Sequence, residues 1–237
     1  MSIMSRLFLG LAGKPPFNKV YRSAIQLRYR LLQRVQKGQP VLEQVAGFPL
    51  IVLPQVLNPR LFYSGKFLAQ ALDRRLVPEG GRVLDLGTGS GIVALACARL
   101  GARVVATDIS PLAVRSARIN ALLNQVEAAI DIRQGDLFDP VSAEQFDLVI
   151  FNPPYFSGEP QSLFEQALYS SDIIERFGDG LAAHLTPGGY GLLLLSSLAE
   201  EERILRSLQQ QGWTAQQEVV NQLPLERLAL YRLVRRE

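Results

Sequence analysis

From about Gly81 onward, short β-branched apolar runs alternate with longer stretches whose apolar residues recur every three to four positions. The runs are RVLDLG (82–87), RVVATD (103–108), IDIRQGD (130–136) and FDLVIFN (146–152). Between the first three lie GIVALACARLG (91–101) and PLAVRSARINALLN (111–124), which read as helices. Nearly continuous apolar strands joined by helices predict a parallel sheet covered on both faces. Further along, IIERFGDGLAAHL predicts a helix, YGLLLLSS a fifth strand preceded by a turn at TPGGY, and residues 200–211 another helix. Two closing runs, WTAQQEVV and RLALYRLV, are separated only by NQLPLE. That spacer is too short for a helical crossover, so the two strands should pair antiparallel at the sheet edge. The fold class is therefore α/β, a mostly parallel sheet with an antiparallel C-terminal edge strand.

Upstream, LEQVAGFPLIVLP (42–54) predicts a small β-hairpin, and residues 18–37 predict a helix. On that helix Val20, Ala24, Leu27, Leu31 and Val35 share an apolar face, while Lys19, Arg22, Arg30, Arg34 and Lys37 gather beside it. The first 42 residues hold eight lysines and arginines and no acid, so the overall charge of +3 conceals a basic segment attached to an acidic body. Such a face is either solvated or steers an anionic partner.

At 237 residues and 48% hydrophobic content, the chain can bury one sizeable core. The single cysteine, Cys97, excludes an internal disulfide and reads as a core residue. One histidine, His184, and one cysteine give no metal constellation, and His184 reads as a helix-end or surface residue. Trp213 opens a late strand and reads as packing. The apolar run near the N-terminus is too brief to span a membrane and lacks a small-residue cleavage site, so a cytoplasmic address is expected.

Chemistry concentrates at the strand ends. In VLDLGTGSG (83–91), glycines at 87, 89 and 91 follow a strand and open a helix, which brings backbone and helix N-terminal amides close to a ligand. The third glycine of a dinucleotide fingerprint would stand where the chain has Ile92, which lowers a nicotinamide reading. Asp108 ends the second strand at the spacing of an acid that accepts both hydroxyls of a ribose, and Asp136 after the third strand can reach an adenine edge. Alone, each acid could as well cap a helix. FDLVIFNPPYFSG (146–158) then ends a buried strand on an amide, two proline rings and an aromatic. In isolation NPPY could be a proline-rich turn.

Together, DLGTGSG, the two acids and NPPY resemble S-adenosylmethionine-dependent methyltransferases of Rossmann-like fold, and the stretch QPVLEQVAGFPLIVLPQVLNPRLFYSG resembles the hairpin and cofactor-lid segment of the HemK-type protein glutamine methyltransferases. The family has an acidic turn after its Pro-Arg, where this chain reads LFYSGK. The resemblance implies three segments: a basic helical 1–40, a hairpin and lid over 41–65, and a methyltransferase domain over 66–237. It implies S-adenosyl-L-methionine as cofactor, held by Asp85, Gly87, Thr88, Gly89, Gly91, Asp108, Ile109, Asp136, Leu137 and Asn152. Asn152 would also act in catalysis with Pro153 and Tyr155: the Asn152 side-chain oxygen and the Pro153 carbonyl accept the two N–H groups of a planar amino nitrogen, and Tyr155 stacks on it. The expected acceptor is a glutamine side-chain amide of a protein such as a translation factor. Alternatives are the exocyclic amino group of adenine or guanine in RNA or DNA, a small molecule, or a cofactor-binding scaffold without transfer activity. A small partner subunit is a further expectation.

Overall fold

The computed structural model describes residues 38–156, 158, 165, 167–224 and 226–236. The helix expected over 18–37, with its basic face, lies outside them.

The hairpin forms as expected, from β1 (Val41–Val45) and β2 (Phe48–Val52). Ala46 and Gly47 have φ of 51° and 80°. Two consecutive positive φ values make the primed turn whose twist matches that of paired strands. Helix α1 (Tyr63–Ala71) follows and runs across the 65/66 boundary. Then come β3 (Arg82–Leu86), α2 (Ile92–Arg99), β4 (Arg103–Asp108), α3 (Pro111–Leu123), β5 (Ile130–Gln134) and β6 (Phe146–Phe151). The chain closes with α4 (Ile173–Leu181), β7 (Leu185–Ser196), α5 (Glu201–Gln210), β8 (Trp213–Gln222) and β9 (Arg227–Arg235).

Seven strands form one sheet in the order β5-β4-β3-β6-β7-β9-β8. The first five in that order are parallel. The expected antiparallel pair is present; β9 runs against both neighbours and slots between β7 and β8, which takes the rim. TPGG does not precede the fifth strand but interrupts it. Leu185 pairs with Phe146 and Tyr190 with Leu148, so residues 186–189 bulge opposite Asp147. Gly188 supplies a φ of 82°, and the Thr186 hydroxyl donates to Asp147 at 2.9 Å.

Strand side chains alternate between two apolar layers. Val83, Leu148, Ile150, Leu192 and Leu194 face one cluster with α1, α2, α3 and the hairpin. Leu84, Leu86, Val149, Phe151, Leu193 and Leu195 face the other, with α4 and α5. Trp213 is buried in this second layer and donates its indole N–H to the Gly178 carbonyl at 3.0 Å. Cys97 is buried in the first. His184 follows α4, stacks on Phe138 with centroids 4.4 Å apart, and is buried.

Besides the apolar contacts of Val45, Phe48, Leu50 and Val52, polar chemistry docks the hairpin. Along α3 and its C-cap, Ser116, Asn120 and Asn124 recur every four residues and therefore share one face. Ser116 donates to the Ile51 carbonyl (2.9 Å), and Asn124 to the Pro49 carbonyl (2.9 Å). Asn120, fully buried, accepts from Ile51 N–H (2.6 Å) and donates to both the Ile51 and Ser90 carbonyls (3.0 and 2.8 Å). One amide thus joins β2 to the glycine-rich turn after β3. Asn120→Ala should therefore cost about 2–4 kcal/mol, the sum expected for stranding several buried backbone groups. The check is urea denaturation, with a lowered midpoint at unchanged slope.

Candidate functional site

The strands that neighbour each other at β3 and β6 send their following helices to opposite faces of the sheet, α2 into the first layer and α4 into the second. A crevice opens where the connections part, outside the carboxyl ends of the strands. Its walls include Asp85, Gly87, Thr88, Gly89, Asp108, Ile109, Asp136, Leu137 and Asn152. The sequence reading had placed all nine together.

The glycine turn is shaped by conformation. Gly87 and Gly89 have φ of 65° and 57°, a left-handed region that other residues enter at a cost. Gly91, expected beside the cofactor, does not line the cleft. Its φ is 84°, and a Cβ there would stand 3.1 Å from Ala117, so the glycine lets α2 and α3 approach closely. Asp108 fixes the turn from the neighbouring strand: Oδ2 accepts from Gly89 N–H (2.8 Å) and Oδ1 from Ser110 N–H (2.9 Å). Burial nevertheless raises its pKa, opposed by those two hydrogen bonds. Burial also pushes the Asp85 carboxyl up to about 7, against the hydrogen bond donated by the Thr88 hydroxyl at 2.6 Å, while the nearby Asp108 adds to the rise.

Ile109 is an apolar side chain 41% exposed, and Leu137 lies beyond it with φ 44°. Both flank the cleft. Asp136 is also at the wall, but its Oδ2 accepts from the Arg176 guanidinium on α4 at 2.6 Å. Gly135 before it is required sterically, because a Cβ would fall 2.2 Å from the Pro140 ring.

At the end of β6, Asn152 is held by both ends of its amide. Tyr155 donates its phenolic proton to Oδ1 at 2.6 Å, and Nδ2 donates to the Ser64 hydroxyl at 3.2 Å. Pro153 is buried. The Tyr155 ring does not stand in the main cleft, where stacking on an acceptor had been expected. It packs against the second apolar layer and lines an adjoining hollow with Ser170, Glu175, Glu200 and Arg203, because the two prolines carry the chain away from the strand end. Only its hydroxyl reaches Asn152.

The segment between hairpin and α1 supplies the remaining wall through Gln55, Val56, Leu57, Pro59 and Phe62, joined by Ser64 in the first turn of α1. It is strapped down by Asn58, 2% exposed, whose Nδ2 donates to Glu43 on β1 at 3.0 Å, and by the Arg60–Glu43 ion pair at 2.8 Å. The sequence reading missed Gln55, Phe62 and Ser64 as site residues. All three lie in the stretch 41–65 read as the hairpin and cofactor-lid segment, Phe62 and Ser64 within LFYSGK. Among the described lining residues three are carboxylates, Asp85, Asp108 and Asp136, and none is Lys, Arg or His. No group of three or more potential metal ligands occurs among the described residues.

The family model described as Methyltransferase small domain matches residues 59–218. A Methanocaldococcus jannaschii protein, provisionally named a protein N5-glutamine methyltransferase, is 34% identical over 181 residues, 73% of this chain and 90% of that relative. The release factor glutamine methyltransferase of Salmonella typhimurium is 32% identical over 211 residues, covering 79% of this chain and 73% of the relative. Among solved structures, the E. cuniculi Mtq2-Trm112 complex, responsible for methylating the termination factor eRF1, superposes with a TM-score of 0.59 at 24% identity, over 77% of this chain and 99% of that one. The likeness bears out the Rossmann-like fold, and the relatives bear out the resemblance to the glutamine methyltransferases. The chain belongs to the methyltransferase small domain family.

Proposed function

We propose that the chain transfers a methyl group from S-adenosyl-L-methionine to the side-chain amide of a glutamine in a translation factor. The observation that carries this reading is the position of Asn152, an amide fixed at both ends at the close of β6 and in the same cleft as the glycine turn and Asp108. The names of the two relatives supply the substrate class.

The lining residues fit this donor better than a dinucleotide. A pyrophosphate is anionic and is met by cations or helix amides, whereas the described lining residues hold no cation and, besides the Arg176-paired Asp136, the carboxyls of Asp85 and Asp108, which suit a cationic ligand. When bound, S-adenosyl-L-methionine supplies an electrophilic methyl group on a sulfonium. Gly87, Gly89 and Thr88 would pass their backbone along it, Asp108 would accept ribose hydroxyls, and Ile109 and Leu137 would flank the adenine.

Asn152 and Pro153 act on the other reactant. An amide nitrogen is planar and its lone pair is delocalised, so it is a poor nucleophile until both N–H groups are held and the lone pair is aimed. The Asn152 Oδ1 and the Pro153 carbonyl would accept those two protons. Tyr155 leaves Oδ1 a second lone pair for this. No strong base is needed before transfer, since the product nitrogen sheds its proton afterwards to water. The work of the site is positioning and electrostatics. The same geometry would serve the exocyclic amine of a nucleobase; the names of the two relatives favour the glutamine amide.

Incubation with methyl-labelled donor, cell extract and a small second subunit of the kind seen in the E. cuniculi complex tests the assignment. Label released by protease and not by nuclease is the expected result; the reverse would move the acceptor to nucleic acid. Asp108→Ala should weaken donor binding by about 1–3 kcal/mol in calorimetry, with NAD failing to compete. Asn152→Ala should bind the donor normally and transfer at least about a hundredfold more slowly, because the lost group acts on the nucleophile. Donor binding should also depend on pH. The folded pKa of Asp85, about 7, lies above the 3.8 of an ordinary aspartate, so ionising it costs the free protein stability as pH climbs from about 4 toward 7. A cationic ligand favours the ionised form. Affinity should therefore rise between pH 5.5 and about 7 and level off above, and Asp85→Asn should flatten that slope in titrations across the range.

A further inference from the structure

We infer that Ser64 is a positioning residue for transfer, acting through Asn152; this rests on the reading of Asn152 given above. Ser64 is the second residue of α1 and stands 88 positions from Asn152 in the chain, yet its hydroxyl lies 3.2 Å from Nδ2 and both line one cleft. The adjoining Gly65 shows how closely α1 packs on α2. A Cβ at Gly65 would already touch Ile92 at 3.5 Å and Pro59 at 3.8 Å, so the start of α1 sits directly on the first residue of α2.

An asparagine side chain is nearly symmetric in shape and reverses its chemistry when it turns over by 180°. Turned one way it presents an acceptor, turned the other way a donor, and only the acceptor can hold an N–H of the substrate amide. Both partners are hydroxyls, which donate or accept, and the lengths of the two contacts assign one state. The 2.6 Å contact to Tyr155 has the length of an O–H···O bond, and the 3.2 Å contact to Ser64 that of an N–H···O bond. The Ser64 oxygen is then the acceptor that anchors the NH2 end, leaving Oδ1 on the side of Tyr155. Removing that oxygen frees the amide to turn and leaves the donor site untouched.

The probe is methyl-labelled S-adenosyl-L-methionine with whole-extract protein as the acceptor pool, using the full chain. Ser64→Ala should lower kcat about tenfold, the loss of one net hydrogen bond, with donor Kd within about twofold of wild type. Alanine suits a helical position, so the fold is retained, and a matching thermal midpoint verifies it. Ser64→Thr keeps the hydroxyl and should restore the rate. In an Asn152→Ala background, Ser64→Ala should cost nothing further, since the group it orients is gone. Wild-type turnover in Ser64→Ala beside a slow Asn152→Ala would overturn this inference alone. A loss of donor affinity equal to the loss of rate would do so too, by placing Ser64 on the donor. Wild-type turnover in Asn152→Ala would remove the amide reading itself, and the inference with it.

Discussion

The site exists because the chain changes side. After β3 the connection passes over one face of the sheet, and after β6 over the other, although the two strands are neighbours. The two departures leave a gap between them at the sheet edge. Strand ends then bring most of the chemistry there: the glycine turn from β3, Asp108 from β4, Asp136 from just beyond β5 and Asn152 from β6, with Ser64 added from the start of α1. Parallel strands place all these ends on one edge, and the two-layer core makes that edge rigid. The chemistry is assembled by topology before any side chain is chosen.

Electrostatics then gives the crevice its character. Three carboxylates gather in a wall with no cation among the described lining residues, and burial makes the charged forms of Asp85 and Asp108 harder to keep. The fold tolerates this because backbone amides of Gly89 and Ser110 and the Thr88 hydroxyl donate into the two groups. A positively charged ligand would relieve the same tension, so stability and binding draw on one set of interactions.

Much of this could be read from the chain because it is local. Alternating apolar runs, turn glycines and acids at strand ends carry their meaning within a few residues. What escaped was tertiary. That Gly91 serves helix packing depends on Ala117, that Asp136 pairs with Arg176 depends on α4, and that Ser64 faces Asn152 depends on two segments 88 residues apart. Tyr155 was found by motif and misplaced in orientation, because the path after two prolines is set by what the ring can pack against. The bulge at TPGG was likewise invisible, since glycines signal a bend without saying whether the strand resumes its register.

The polar stripe on α3 has a bearing on solubility. A two-stranded hairpin offers two open edges, and an open edge is a template for pairing with another chain. Here the outer edge of β2 is closed by side chains, since Ser116, Asn120 and Asn124 take up the peptide groups of Ile51 and the carbonyl of Pro49 that a third strand would otherwise bond. A helix thus imitates a strand. An apolar stripe at the same three positions would preserve the helix and bury similar area, but it would hand β2 back as an adhesive edge beside the mouth of the cleft.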